Sequence, residues 1–151
     1  MRNFLLIIVL LILSGCAPVV SREARLGADI TITPAMAQRE PDAYRNMKVI
    51  WTGTIVSVKN MREKSIIEVH HLASEKTAGE PESETSSNRF LIDVVGFLDP
   101  ATYRKGLKIV TAGTIRGIVI RKLYEKEYPY PVIEPVEMHL FNGRDGSPSS
   151  P

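Results

Sequence analysis

Three histidines, one cysteine and a scatter of carboxylates are the groups with which this 151-residue chain could do chemistry. His70 and His71 are adjacent, and neighbours on an extended chain point to opposite faces, so the pair does not close around one ion. His139 is the only other histidine, and no spaced set of histidine, cysteine and carboxylate of the zinc-binding kind is present. No metal and no cofactor are expected. Asp93 is the single acid in an apolar stretch, and with a histidine and a serine it would supply the residue types of a triad. No Gly-x-Ser-x-Gly elbow or comparable nucleophile setting accompanies it. Glu134 and Glu137 could be paired carboxylates, but a chain with 24% charged residues makes such pairs by chance. No catalytic residue is assigned, and an enzyme is not expected. For binding, the aromatics are Trp51, Tyr124, Tyr128 and Tyr130, with Arg116, Arg121, Lys122 and Lys126 nearby and Glu125 and Glu127 offsetting them. Trp51, Arg116, Tyr128 and Tyr130 are the candidate contacts for a glycan or a lipid headgroup. Core packing for Trp51 and stiffening of an extended segment by the Tyr-Pro pairs are the competing structural roles.

Cys16 is the only cysteine, which excludes a disulfide within the chain and leaves its own surroundings to decide its chemistry. Met1-Arg2-Asn3 carries one positive charge, Phe4 to Leu13 is unbroken apolar sequence, and Ser14-Gly15-Cys16 follows. That order is an export signal. An apolar run of this length falls well short of the roughly 20 residues that span a bilayer. Leu13-Ser14-Gly15-Cys16 resembles the bacterial lipobox, which implies cleavage between Gly15 and Cys16, a diacylglyceryl thioether on the sulfur and an acyl group on the new amino terminus. At about 0.8 kcal/mol per buried methylene, two or three chains anchor a protein stably. The residue after the cysteine is Ala17, not the Asp that such bacteria use for inner-membrane retention, so an outer-membrane destination facing the periplasm is expected.

Removing residues 1–15 from 151 leaves 136, enough for one domain. The net charge of +2 falls to +1 with the loss of Arg2, and acids and bases are mixed along the chain, so nucleic acid is not an expected partner. The expected partners are the membrane, through the lipid, and an envelope glycan or envelope protein. Residues 16–27 read as a lipidated tether, 28–141 as one domain, and 142–151, rich in Gly, Ser and Pro, as a disordered tail.

Within the domain, Ile30 to Thr33 alternates like a short strand and stops at Pro34. Residues 34–46 allow one or two helical turns, restarting at Pro41-Asp42. Residues 47–59 and 65–73 read as a hairpin of β-branched strands, and 74–88 as a polar surface loop. Residues 89–98 return to strand. Asp99-Pro100 is a good helix start, giving a short helix over 100–105 closed by Gly106. Residues 107–119 form a long strand, 121–127 a charged turn, and 132–141 a last strand in which Pro135 marks an edge or bulge. Tyr128-Pro129-Tyr130-Pro131 must be extended, because each tyrosine precedes a proline. Gly53 and Gly113 sit mid-strand, each followed by Thr-Ile, and both strands are expected to bend there. The order is that of an all-β, OB-like five-stranded barrel with a short helix between strands three and four and disordered tails. Another small barrel or a sandwich is the alternative.

Arg89-Phe90-Leu91, Gly96-Phe97-Leu98-Asp99-Pro100, Tyr103, Gly106, Gly113-Thr114-Ile115 and Tyr128-Pro129-Tyr130-Pro131-Val132, following the lipobox in this order, resemble the Slp family of starvation-inducible outer-membrane lipoproteins. Thr52-Gly53 after Trp51, and Leu140-Phe141 at the end of the last strand, depart from the family pattern. The resemblance implies an envelope protein linked to starvation, stationary phase or acid stress, and brings no catalytic residues with it.

Overall fold

The strands follow the alternation of the sequence, and their lengths decide how they close. The computed structural model describes residues 19–72 and 88–141, with the backbone of 148–149. Gly15 and Cys16, nearly all of the loop 74–88 and most of the tail 142–151 lie outside the described residues. The strands are β1 (Lys48–Asn60), β2 (Lys64–His71), β3 (Arg89–Val95), β4 (Lys108–Leu123), β5 (Lys126–Phe141) and the two-residue β6 (Pro148–Ser149). They are hydrogen-bonded in the order β3-β2-β1-β4-β5, and a parallel pairing of Leu91 with Val132 and Ile92 with Ile133 joins β3 back to β5. The result is a closed five-stranded mixed barrel of the OB-like order that the sequence predicts. β6, inside the segment read as a free tail, pairs with Leu140 and Phe141 of β5.

Inward-facing residues fill the barrel: Val49, Trp51, Ile55, Ile67, Val69, Phe90, Ile92, Ile109, Ile115 and Ile133 are each 0–1% exposed. Trp51 and Phe90 meet edge to face with centroids 5.0 Å apart, a favoured aromatic geometry. Closing so few strands requires sharp coiling, and two glycines allow it. A Cβ on Gly53 would lie 2.3 Å from the His70 carbonyl oxygen, and one on Gly113 would lie 2.4 Å from that of Glu134. The close approaches fall at the positions where the sequence predicts bends. Bulges at Val56, Arg116 and Val136 add further curvature, and the last lies next to Pro135, as expected.

Both barrel ends are stoppered. At one end Ile32, the helix α2 (Pro34–Arg39) with its fully buried Ala37, and Tyr44 of α3 (Pro41–Tyr44) pack against the core. Thr33 caps α2 by accepting a hydrogen bond from the Met36 amide, with Pro34 at the first helical position. At the other end Leu98, Tyr103 and Leu107 fill the opening. The helix expected over 100–105 does not form: the segment is a turn, in which the Asp99 carboxylate accepts from Ala101 N–H at 2.9 Å and from Thr102 Oγ1–H at 2.9 Å. No helix propagates from it, because Gly106 N–H donates to the Ile55 carbonyl and the Leu107 carbonyl accepts from Ile55 N–H, tying the chain to β1. The short strand expected over 30–33 is replaced by a turn. The Asp29 carboxylate accepts Thr31 N–H at 2.8 Å and Thr31 Oγ1–H at 2.6 Å, and this local bond curls the chain.

The charged turn expected over 121–127 narrows to Tyr124-Glu125, with β4 and β5 paired up to Leu123 and Lys126. The Tyr-Pro segment therefore belongs to a strand. Its prolines cost no ladder bond to β4: the Pro129 carbonyl points away from β4 and accepts from Gln38 Nε2 at 2.8 Å, and N and O of one strand residue share a side.

Candidate ligand-binding face

On a barrel whose outside meets water, outward positions should be polar, yet β2 and β3 carry Ile66 and Leu91 there, only 8% and 1% exposed. They are covered by the overhanging part of the β4–β5 hairpin, which packs Tyr128, Tyr130, Leu123 and Val132 against them. The two tyrosines, two residues apart and so on one face, meet edge to face at 4.6 Å. Their hydroxyls fasten the overhang. Tyr128 Oη accepts the Arg89 amide at 3.2 Å and also contacts Gln38 Nε2, while Tyr130 Oη donates to Glu68 Oε1 at 3.1 Å. Glu68 is held by Arg89 Nη1 at 2.6 Å. Burial, reinforced by the neighbouring Glu68 charge, pushes the Tyr130 phenol up to about 12, so it stays a hydrogen-bond donor at any physiological pH.

Between the overhang and the β2–β3 face lies a cleft of about 260 Å³, lined by Met61, Lys64, Ile66, Leu91, Asp93, Val119, Arg121 and Val132. Its walls are mainly apolar. Lys64 Nζ bridges to Asp93 Oδ2 at 2.7 Å, so Asp93 is half of an ion pair. Arg121 enters no ion pair among the described residues. This is the face that OB-type barrels use for ligands, between the β1–β2 loop and the β4–β5 loop.

The structure separates the residues singled out from the sequence. Trp51 is 1% exposed in the barrel interior, its Nε1–H donating to the Ile32 carbonyl at 2.7 Å. Tyr128 and Tyr130 are buried as the wall that holds the overhang, offering no exposed ring to a ligand. Arg116 is bulged out of β4, pairs with Glu134 and lies 3.4 Å from Asn46 Oδ1, away from the cleft. Tyr124 stands at the hairpin tip, 83% exposed, with Lys122 and Lys126 beside it. The cleft residues Met61, Lys64, Ile66, Leu91, Val119 and Val132 were not singled out by residue type. Their signal is the pairs and triplets Ile66-Ile67 and Phe90-Leu91-Ile92, which bury both faces of a strand instead of one.

Among the described residues, the histidines and carboxylates do not converge on a reactive centre. His70 and His71 fall on opposite faces of β2, as expected. His71 is packed edge-on to Phe90, and burial, with the His70 charge adding to it, pushes its pKa down to about 4. Ser21, Glu137 and His139 do meet, but in an order unsuited to nucleophilic catalysis. Ser21 Oγ donates to Glu137 Oε2 at 2.6 Å, and His139 Nε2 contacts the other carboxylate oxygen, so the acid stands between hydroxyl and imidazole. A triad needs the imidazole in the middle. Ser21 also accepts the Ala24 amide as the cap of α1 (Arg22–Arg25), and its amide donates to Glu137 at 3.1 Å. The cluster is a clasp that fixes the N-terminal segment to β5. Those hydrogen bonds, Ser21's first and His139's second, hold Glu137 below the usual carboxylate range.

No solved structure matches the chain. A curated relative, the uncharacterized lipoprotein YeaY of Escherichia coli strain K12, is 29% identical over 126 residues, covering 82% of this chain. The chain spans 64% of that relative's length. The family model described as outer membrane lipoprotein Slp family matches residues 13–150, from Leu13 through the barrel. With that match running through every strand, the chain belongs to the Slp family of outer membrane lipoproteins.

Proposed function

We propose that this protein is a non-enzymatic binding lipoprotein, held by lipid on Cys16 at the periplasmic face of the outer membrane and acting under starvation, stationary-phase or acid stress. Its cleft takes an amphiphile with an anionic head, the chemistry of lipopolysaccharide and of phospholipids. The observation that carries this reading is the apolar cleft of about 260 Å³ with Arg121, in no ion pair among the described residues, lining it. That volume lies just below the range of roughly 300–1,000 Å³ common for small-molecule sites, which suits one alkyl chain better than a bulky body. A glycan is the second reading, favoured only by the exposed Tyr124 at the hairpin tip.

Chemical-shift mapping separates them. A single-chain phosphatidylglycerol, added below its micelle concentration, is expected to move the amides of Ile66, Leu91, Val119 and Val132. Arg121→Ala should weaken that binding by roughly tenfold, or about 1.4 kcal/mol. Shifts confined to residues around Tyr124 on adding envelope oligosaccharides would support the glycan instead. Silence toward the amphiphile overturns the proposal.

A further inference from the structure

The anchor and the fold meet sooner than a tether would allow. Val19 packs on the barrel, Val20 is 6% exposed against Val110 and Ala112, and Ile50, Ala24 and Phe141 complete the contact. The clasp to Glu137 fixes Ser21. The segment read as a tether is thus a strap lying across β5, β4 and β1, running past Ala28, which bridges to Lys48, into the turn at Asp29–Thr31. Only residues 17 and 18 separate Val19 from Cys16. At no more than about 3.6 Å per residue, Val19 stays within about 11 Å of the lipidated residue. The headgroup zone is itself about 5–8 Å deep on each side.

What the strap exposes suits that position. Leu26 and Ile30 are 62% and 77% exposed, and Arg22, Arg25 and the adjoining Lys48 are exposed cations in no ion pair among the described residues. Glu23 and Asp29 are the strap's acids, and Asp29 is already occupied by Thr31. Apolar side chains among basic ones on a membrane-proximal surface are the composition of an interfacial contact.

We infer that the strap is a second membrane contact, with Leu26 and Ile30 entering the headgroup region of the leaflet that holds the anchor and Arg22, Arg25 and Lys48 at its phosphates. Topology then orients the molecule. The strap is centred on β4, whose barrel neighbours are β1 and β5, so β2 and β3 lie on the far side. The β2–β3 cleft therefore opens away from the membrane, toward the periplasmic space. This inference rests on lipidation at Cys16 and not on what the cleft binds.

The lipidated full chain has no free thiol, so an added cysteine takes a label uniquely. Ile30→Cys and Leu26→Cys, and Val119→Cys as the cleft reporter, carry an environment-sensitive fluorophore in the lipoprotein reconstituted into vesicles of phosphatidylethanolamine with a minor share of phosphatidylglycerol. Headgroup-level spin-labelled lipid is expected to quench positions 26 and 30 several-fold more than position 119. Equal quenching, or stronger quenching at 119, overturns the orientation. Vesicles that float with the protein but leave 26 and 30 unquenched, as for a protein partner on the strap or for no contact, overturn the inference while the anchor stands. Protein that fails to float overturns the anchor and this inference with it.

Discussion

At the scale of single residues, type alone did not separate packing from contact. Trp51, Tyr128 and Tyr130 have the chemistry of ligand platforms, and the same apolar area is what a small barrel needs for its wall and core. Which use prevails depends on the side of the strand and on what covers it. Gly53 was more legible, because a glycine amid β-branched residues has few reasons to be there. Gly53→Ala forces a Cβ into the His70 carbonyl oxygen and the Val69 side chain. It is expected to cost about 1–3 kcal/mol, the usual range for overpacking, read as a lowered urea midpoint. His71 gives a pH dependence. Its folded pKa, near 4, is below the ordinary 6.5, so the unfolded chain binds its proton more readily. The stability it contributes is complete above about pH 6.5 and is lost as pH falls toward 4, amounting to at most about 3 kcal/mol. Chemical denaturation at neutral pH and near pH 4 should show the loss, and His71→Phe should shrink it. An unchanged difference in the variant would assign the loss to other groups, of which Glu137, also depressed, is the first to test.

At the scale of elements, strands were readable where alternation was clean, as in β1, and strand ends were not. β4 and β5 run on well past the barrel, because residues 119–130 bury one face on β2 and β3, a partner no local window contains. The turns at Asp29 and Asp99 were missed for a related reason. In each, a side-chain or inter-strand bond to backbone outcompetes the regular structure that propensity favours. The strap shows the same dependence on distant partners, since Ser21 and Glu137 are 116 residues apart. Ser21→Ala removes the hydroxyl bond to Glu137 and the cap of α1, leaving only the backbone N–H of the clasp, and is expected to cost about 1 kcal/mol. Hydrogen exchange at the Leu26 amide, which donates to the carbonyls of Arg22 and Glu23, should quicken while exchange in β2 does not. Equal acceleration in both would mean that the strap is integral to global stability.

At the scale of the molecule, closure depends on two parallel residue pairs between β3 and β5, separated by about forty residues, and only the order of elements hinted at them. The cleft follows from that closure, because the same strands that seal the barrel bring the hairpin over β2 and β3. Location, by contrast, was legible locally, in the resemblance of Leu13 to Cys16 to a lipobox and in Ala17 after it, and it agrees with the outer membrane of the family to which the chain belongs, since such a signal is read as extended sequence and not as a fold. Anchorage through Cys16 is the claim on which the membrane-facing strap and the outward cleft both depend. Growth of cells expressing the full chain with labelled palmitate tests it most directly. The account predicts label in the mature protein and its loss in Cys16→Ala; absence of label, or label that survives the substitution, would contradict it.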